Sequence, residues 1–304
     1  MSGGRAAGYR LLGSRFDYIL HLRPAEWPIM AAHTAVGYLL AVGLSGAAAG
    51  EGVKAALLGG VLWVVCLNGG TLALNSAFDR DEGDVAYLRN PPPPPRRLAA
   101  FALALMAAGQ FLAMALPPRY RIAYAVCFAL SLAYSVPPVR LKAVAGADWL
   151  INMVGFGTLT PYAGWVSSGR APDAVGAAVL LAFCPLFAAL YPLTQLYQFE
   201  EDTRRGDHTL ALRLGVHRSL DVSIVAVAVA FAIFAWAGYR AAWGGDGAWR
   251  WIALGVAAAV WLAVVLPWRA RAGRMGPSEH QRGMYLALGA WAVTDVAVLL
   301  AWGT

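Results

Sequence analysis

Charge is scarce in this chain. Asp, Glu, Lys and Arg make up 13% of it against 59% hydrophobic residues, a balance that excludes an ordinary soluble domain. Cysteine is scarcer still: Cys66, Cys127 and Cys184 all fall in apolar runs without CxxC spacing, which argues against a disulfide framework or a thiolate metal site. The first residues, MSGGRAAGYRLLGSRF, lack a compact apolar core followed by a small-residue cleavage site, so no signal peptide is expected.

Long apolar runs fill the rest. Nine are long enough to cross hydrocarbon, at about 27–49, 53–78, 98–116, 120–137, 147–167, 173–198, 219–239, 249–268 and 283–302. Helices satisfy their own backbone in lipid, so the expected fold is an all-α integral membrane protein, a bundle of nine transmembrane helices around a central cavity with a cytoplasmic cap. Residues 1–26 read as a basic interfacial segment and 27–304 as one transmembrane domain in two related halves, about 27–145 and 146–304. With the N-terminus cytoplasmic, 18 of the 24 Lys and Arg residues fall on the inner side. The net charge of +7 then reflects membrane topology, and nucleic acid is not an expected partner.

Two acidic stretches end two of the apolar runs. NSAFDRDEGD spans Asn75 to Asp84, and QFEEDTRRGD, Gln198 to Asp207, repeats its arrangement 123 positions later: an amide, three residues, Asp, three residues, Gly-Asp. Carboxylates at a helix C-terminus oppose the macrodipole and repel one another, so a cation is expected to offset them. Arg80, Arg204 and Arg205 do this in part, and Mg²⁺, which takes carboxylate oxygens together with substrate phosphates, does it better. Asn75 and Asp79 are four apart, as are Gln198 and Asp202, so each pair shares a helical face. Gly83 and Gly206 are placed to break the helix and turn Asp84 and Asp207 back toward the same point. Asp81, Glu82, Glu200 and Glu201 divide between ligands and solvated loop.

A third stretch, YSVPPVRLK (Tyr134 to Lys142), ends the fourth run and brings Arg140 and Lys142 to the same side. Two cations beside two acid-bound metals suit a diphosphate. NPPPPPRR, Asn90 to Arg97, is a stiff extended connector that shapes a cytoplasmic cap. Inside the runs, Asn68 lies on the stripe of Asn75 and faces the cavity, as does Asn152. His33 reads as an interhelical hydrogen-bond partner, and Asp295 as a protonated, hydrogen-bonded group without an assigned role. Tyr134, Tyr191, Tyr197, Phe78 and Phe199 are near enough in sequence to offer π faces to a carbocation.

RPAEWP before the first run, NSAFDRDEGD after the second, YSVPPVRLK after the fourth and QFEEDTRRGDHTLALRLG after the sixth resemble the UbiA superfamily of intramembrane prenyltransferases. The resemblance implies a nine-helix bundle, a site near the cytoplasmic side of the cell membrane, and a lateral opening to lipid. It implies Mg²⁺-dependent ionisation of an isoprenyl diphosphate and attack by an aromatic or related acceptor. Carried over, Asn75, Asp79, Asp84, Asp202 and Asp207 form the metal set. Arg140 and Lys142, with Tyr134, Asn68, Gln198 and Arg23, form the diphosphate site, and Asp79, Asp202, Arg140 and Lys142 carry catalysis. Asp79 and Asp84 stand five apart, where the family commonly has four. A membrane terpene cyclase of the same superfamily and a carrier of a diphosphate lipid are the alternative functions.

Overall fold

Proline and glycine punctuate the apolar runs and mark where helices start and stop. The computed structural model describes residues 3–46, 51–79, 85, 88–206 and 209–304, and it is all-helical among them. Helix α1 (Gly3–Leu12) and α2 (Phe16–His21) precede α3 (Trp27–Val42). Next come α4 (Glu51–Val61) and α5 (Gly70–Asp79), joined by a π-helical segment, Leu62–Gly69. Helices α6 (Leu98–Leu112) and α7 (Pro118–Ser135) follow, and α8 (Ala147–Asn152) runs through a second π segment, Met153–Leu159, into α9 (Thr160–Ser167). The chain continues through α10 (Ala174–Gln195), α11 (Phe199–Arg205), α12 (Leu210–Arg240), α13 (Trp249–Arg271) and α14 (Pro277–Trp302).

Proline sits in the first turn of α3, α7 and α14, where its missing N–H has no helical partner to lose. The Asp173 carboxylate accepts from Gly176 N at 2.7 Å and the Thr209 hydroxyl from Leu212 N at 3.3 Å, capping α10 and α12. Gly43, at φ 78°, stops α3.

Among the described residues, six helical stretches are long and apolar enough to cross a membrane: Gly52–Asp79, Leu98–Ala115, Ala174–Gln195, Leu210–Arg240, Trp249–Arg274 and Pro277–Trp302. Some boundaries differ from the sequence reading. The first run forms a helix only to Val42, because Gly43 turns left-handed. The sixth stops at Gln195, α12 is broken at Gly215 (φ 72°, ψ 172°) ahead of its apolar run, and α14 starts at Pro277, ahead of its run, because Glu279 caps a polar first turn.

Helix α10 is the most enclosed of these spans, and Phe183 on it packs with Phe234 of α12 and Trp291 of α14. Helices α3 and α9 cross at glycines: a Cβ on Gly37 would overlap the Pro161 carbonyl, and one on Gly164 the Thr34 carbonyl. Close backbone approach of this kind is how small residues join helices in lipid.

The N-terminal segment is tied to the proline run. Arg5 donates from Nη1 to Arg89 O at 2.9 Å and from Nη2 to Asn90 O at 2.8 Å, and His21 Nε2 lies 3.1 Å from Pro92 O. These bonds hold residues 3–21 over the Asn90–Pro95 strap.

Candidate active site

A cavity of about 330 Å³ opens among these helices. One end is charged because several helices finish there. Asp79, the last residue of α5, has its side chain only 3% exposed, and the Lys142 ammonium lies directly against its Oδ2. Arg140 Nη2 lies 3.4 Å from Oδ1. Both cations come from the turn after α7. There Arg140 adopts φ 34°, ψ 57°, a left-handed conformation that folds the RLK segment back toward α5. Lys142 and Asp79 line the cavity, whereas Arg140 approaches the carboxylate from outside it and its side chain is 29% exposed.

The second acidic stretch arrives differently from its sequence reading. Helix α10 ends at Gln195, and Asp202 sits inside a new seven-residue helix, α11. The macrodipole argument therefore holds for Asp79 and not for Asp202, which lies a turn into α11 with its backbone N–H donated to Gln198 O at 2.9 Å. Gly206, at φ 71°, ends α11 in the left-handed conformation that glycine favours. Asp202 is 4% exposed and lines the same cavity as Asp79. Asp84 and Asp207, like Arg80, Asp81, Glu82, Gly83 and His208, lie outside the described residues. Among the described residues no group of three or more His, Cys, Asp or Glu side chains is clustered for a metal.

The cavity also gathers Arg23, Asn68, Asn75, Tyr134 and Gln198. Arg23, at φ 50°, donates from Nη2 to Ser76 Oγ at 3.2 Å, which ties the RPAEWP turn to α5 one turn before Asp79. The Asn75 side-chain oxygen is buried and has no hydrogen-bond partner, and it sits one turn before Asp79 on the same helix. Gln198 donates from Nε2 to Tyr197 Oη at 3.1 Å. The hydroxyls of Tyr134 and Tyr191 are 3.0 Å apart, and Gln195 Nε2 donates to Tyr191 Oη at 3.1 Å. The phenol of Tyr134 is thus engaged by a neighbouring ring at the cavity wall. Phe78 is 37% exposed and Phe199 and Tyr197 pack toward the α10–α14 core, so of the five aromatics considered only Tyr134 and Tyr191 line the cavity.

Three residues escaped the sequence reading. Glu26 lines the cavity and is buried; burial pushes its carboxyl up to about 7 against the opposing pull of Arg23. Its signal was its place in RPAEWP, one turn after Arg23. Asp148 is fully buried and accepts from Gly146 N at 2.8 Å and Leu210 N at 3.1 Å, fastening the segment after Lys142 to the start of α12. Thr209, which caps α12, also faces the cavity.

Beyond the charged end the walls are apolar, with Met30, Leu67, Cys127, Phe156, Phe187 and Trp291 among them. Phe156 and Phe187 stack with centroids 5.3 Å apart and planes at 12°. The arrangement can hold a polyanion at one end and a hydrocarbon or flat ring in the rest, away from bulk water.

The profile of the UbiA prenyltransferase family matches residues 31–301. No curated protein matches the chain in sequence. Among solved structures, a UbiA homolog from Archaeoglobus fulgidus bound to DMAPP and Mg²⁺ is similar with a TM-score of 0.65 at 20% identity, over 92% of this chain and 99% of that one. The same homolog bound to GPP and Mg²⁺ gives 0.64 at 20% identity over 93% and 99%. A digeranylgeranylglyceryl phosphate synthase gives 0.68 at 13% identity over 94% and 97%. At these identities the likeness concerns the fold.

Proposed function

Because the chain belongs to the UbiA prenyltransferase family, we propose that it transfers an isoprenyl group from an allylic diphosphate to an aromatic or related small acceptor within the membrane, using Mg²⁺. The observation that carries this reading is one cavity with Asp79, Lys142 and Asp202 gathered from three elements at its charged end and apolar, aromatic walls beyond. That the Archaeoglobus homolog binds DMAPP and GPP with Mg²⁺ supports the choice of donor and ion.

The residues present fit Mg²⁺. Asp79 and Asp202 offer carboxylate oxygens, and the buried amide oxygen of Asn75 lacks a partner. Asp84 and Asp207 complete the set in this reading. Mg²⁺ held by these residues would supply positive charge to the diphosphate. Lys142 supplies a compact positive charge and Arg140 a guanidinium fork, both already beside Asp79, so little reorganisation is needed when the donor arrives. Arg23, Asn68, Gln198 and Tyr134 give the remaining polar contacts along the donor's head. The allylic C–O bond breaks with its electron pair leaving on the diphosphate, and the π faces of Tyr191 and Phe187 stabilise the cation left behind. Enclosure keeps water from capturing that cation as an alcohol. The acceptor's π pair forms the new bond, and a proton leaves the carbon attacked.

In the same reading α3, α7 and the α8–α9 stretch join the six long apolar helices to make nine crossings. The N-terminus, the Asn90–Pro95 strap and the charged end of the cavity face the cytoplasm of a cell-membrane protein. Diphosphate release from an allylic donor tests the reading. It is expected to require Mg²⁺ and to rise with an aromatic acceptor; absence of release with C10 to C20 donors would sink it.

A further inference from the structure

One ionisable pair in the helical interior takes no part in the chemistry above. His33 on α3 and Asp295 on α14, 262 residues apart, meet with Nδ1 3.1 Å from Oδ1. They are 4% and 8% exposed. The other ring nitrogen, Nε2, lies 3.4 Å from the carbonyl oxygen of Gly157, inside the π segment before α9. Two aromatic rings stand edge-on to the imidazole, Phe183 at 4.8 Å and Trp291 at 4.9 Å. Desolvating such a pair costs free energy on both partners, and two apolar side chains of similar volume would join the helices without that cost.

Position distinguishes this pair from a simple interhelical bond. His33 and Trp291 both line the cavity, and His33 lies two turns into α3 beyond Glu26, about 10 Å deeper at 1.5 Å per residue. A run of rings leads to it from the charged end: Tyr191 to Phe187 at 6.4 Å, Phe187 to Trp291 at 5.7 Å, then Trp291 to His33. An isoprenyl tail carries no polar atom beyond its diphosphate, so it has nothing to offer an imidazole. A flat ring bearing a hydroxyl or carbonyl oxygen satisfies both the stacked wall of Phe156 and Phe187 and the imidazole.

We infer that the His33–Asp295 pair anchors the acceptor: His33 Nε2 exchanges its long 3.4 Å contact with the Gly157 carbonyl for a hydrogen bond with an oxygen of an aromatic acceptor held among Trp291, Phe187 and Phe156. Asp295 is a positioning residue that sets the ring's orientation from behind. The inference rests on the transferase reading.

The test uses the full-length protein in nanodiscs with Mg²⁺, geranyl diphosphate and a panel of phenols, hydroxybenzoates and hydroxynaphthoates. The variants are Asp295→Asn and the double replacement His33→Leu with Asp295→Leu, which avoids leaving one buried polar partner without the other. The double variant is expected to raise the acceptor KM about 10-fold or more and Asp295→Asn a few-fold, while the KM and Mg²⁺-dependent binding of geranyl diphosphate stay within about two-fold. An unchanged acceptor KM, a parallel rise in both KM values, or a changed preference for donor chain length with the acceptor KM intact would overturn the anchor. If wild type consumes the donor without forming any adduct, the transferase reading fails and the anchor with it; if adducts form, only the anchor is at stake. Should the double variant not fold, the Asp295→Asn result decides.

Discussion

The Lys142 ammonium rests against Oδ2 of Asp79 while the Arg140 guanidinium reaches Oδ1 of the same carboxylate. One acid thus gathers two cations at the charged end of the cavity, where a diphosphate would otherwise have to assemble them. The two cations are not equal: the Lys142 side chain is 8% exposed and that of Arg140 is 29%. Lys142→Ala is expected to lower kcat/KM for the allylic diphosphate by about 10²-fold or more, and Arg140→Ala by about 10-fold, because solvent screens the outer charge. Steady-state kinetics on both variants check the order; a larger loss at Arg140 would contradict it.

Glu26 predicts an unusual pH dependence of stability. Its carboxyl is raised from its usual 4.5 to about 7, with burial the first cause. A folded value above the unfolded one means stability is intact below pH 4.5 and is lost as pH rises through 7. The full loss is roughly 3 kcal/mol. Glu26→Gln removes it, so its Tm should match wild type near pH 4.5 and exceed it at pH 8, as followed by thermal denaturation in detergent. Parallel curves for the two proteins would rule this out.

Helix crossing makes a sharper demand. A Cβ at Gly164 meets the Thr34 carbonyl, whereas one at Gly60 in α4 meets nothing within 4 Å. Gly164→Ala is expected to cost about 2 kcal/mol through overpacking, and Gly60→Ala to be neutral or to stabilise by up to about 1 kcal/mol. Comparable melting shifts in the two variants would refute the close approach of α3 and α9.

Asp148 supports the site from outside it. Asp148→Ala leaves the Gly146 and Leu210 amides without their acceptor and is expected to lower stability by about 2 kcal/mol. Activity should fall too, because the Lys142 segment loses its tie to α12. Asp148→Asn keeps one acceptor oxygen and should recover part of both losses, measured as Tm and turnover.

The helices were legible in the sequence because hydrocarbon thickness imposes a length on each apolar run and leaves the backbone no alternative to a helix. Their ends were less so, since caps and glycines decide them: Glu279 extends α14 into polar sequence, Gly215 breaks α12 ahead of its apolar run, and Gly43 ends α3 early. The acids and cations of the motifs were legible as charges with no business at a membrane helix end. The placement of Asp202 on a separate helix was not, because nothing in QFEEDTRRGD announces the break at Leu196–Gln198. Asp295 and His33 each stood out as polar residues in apolar runs, but a pairing across 262 positions is a property of the bundle, not of either segment. Glu26 was hidden in a segment that reads as an ordinary interfacial turn.

In the proposed function this cavity ionises an allylic diphosphate and hands the isoprenyl group to an acceptor. The most direct test is mass spectrometry of products formed by the protein in nanodiscs from geranyl diphosphate and Mg²⁺, with and without the aromatic panel. A product with the mass of prenyl plus acceptor is expected, absent without acceptor or Mg²⁺ and absent in Asp79→Ala. A hydrocarbon or cyclic alcohol formed equally well without acceptor would contradict it and establish a cyclase instead.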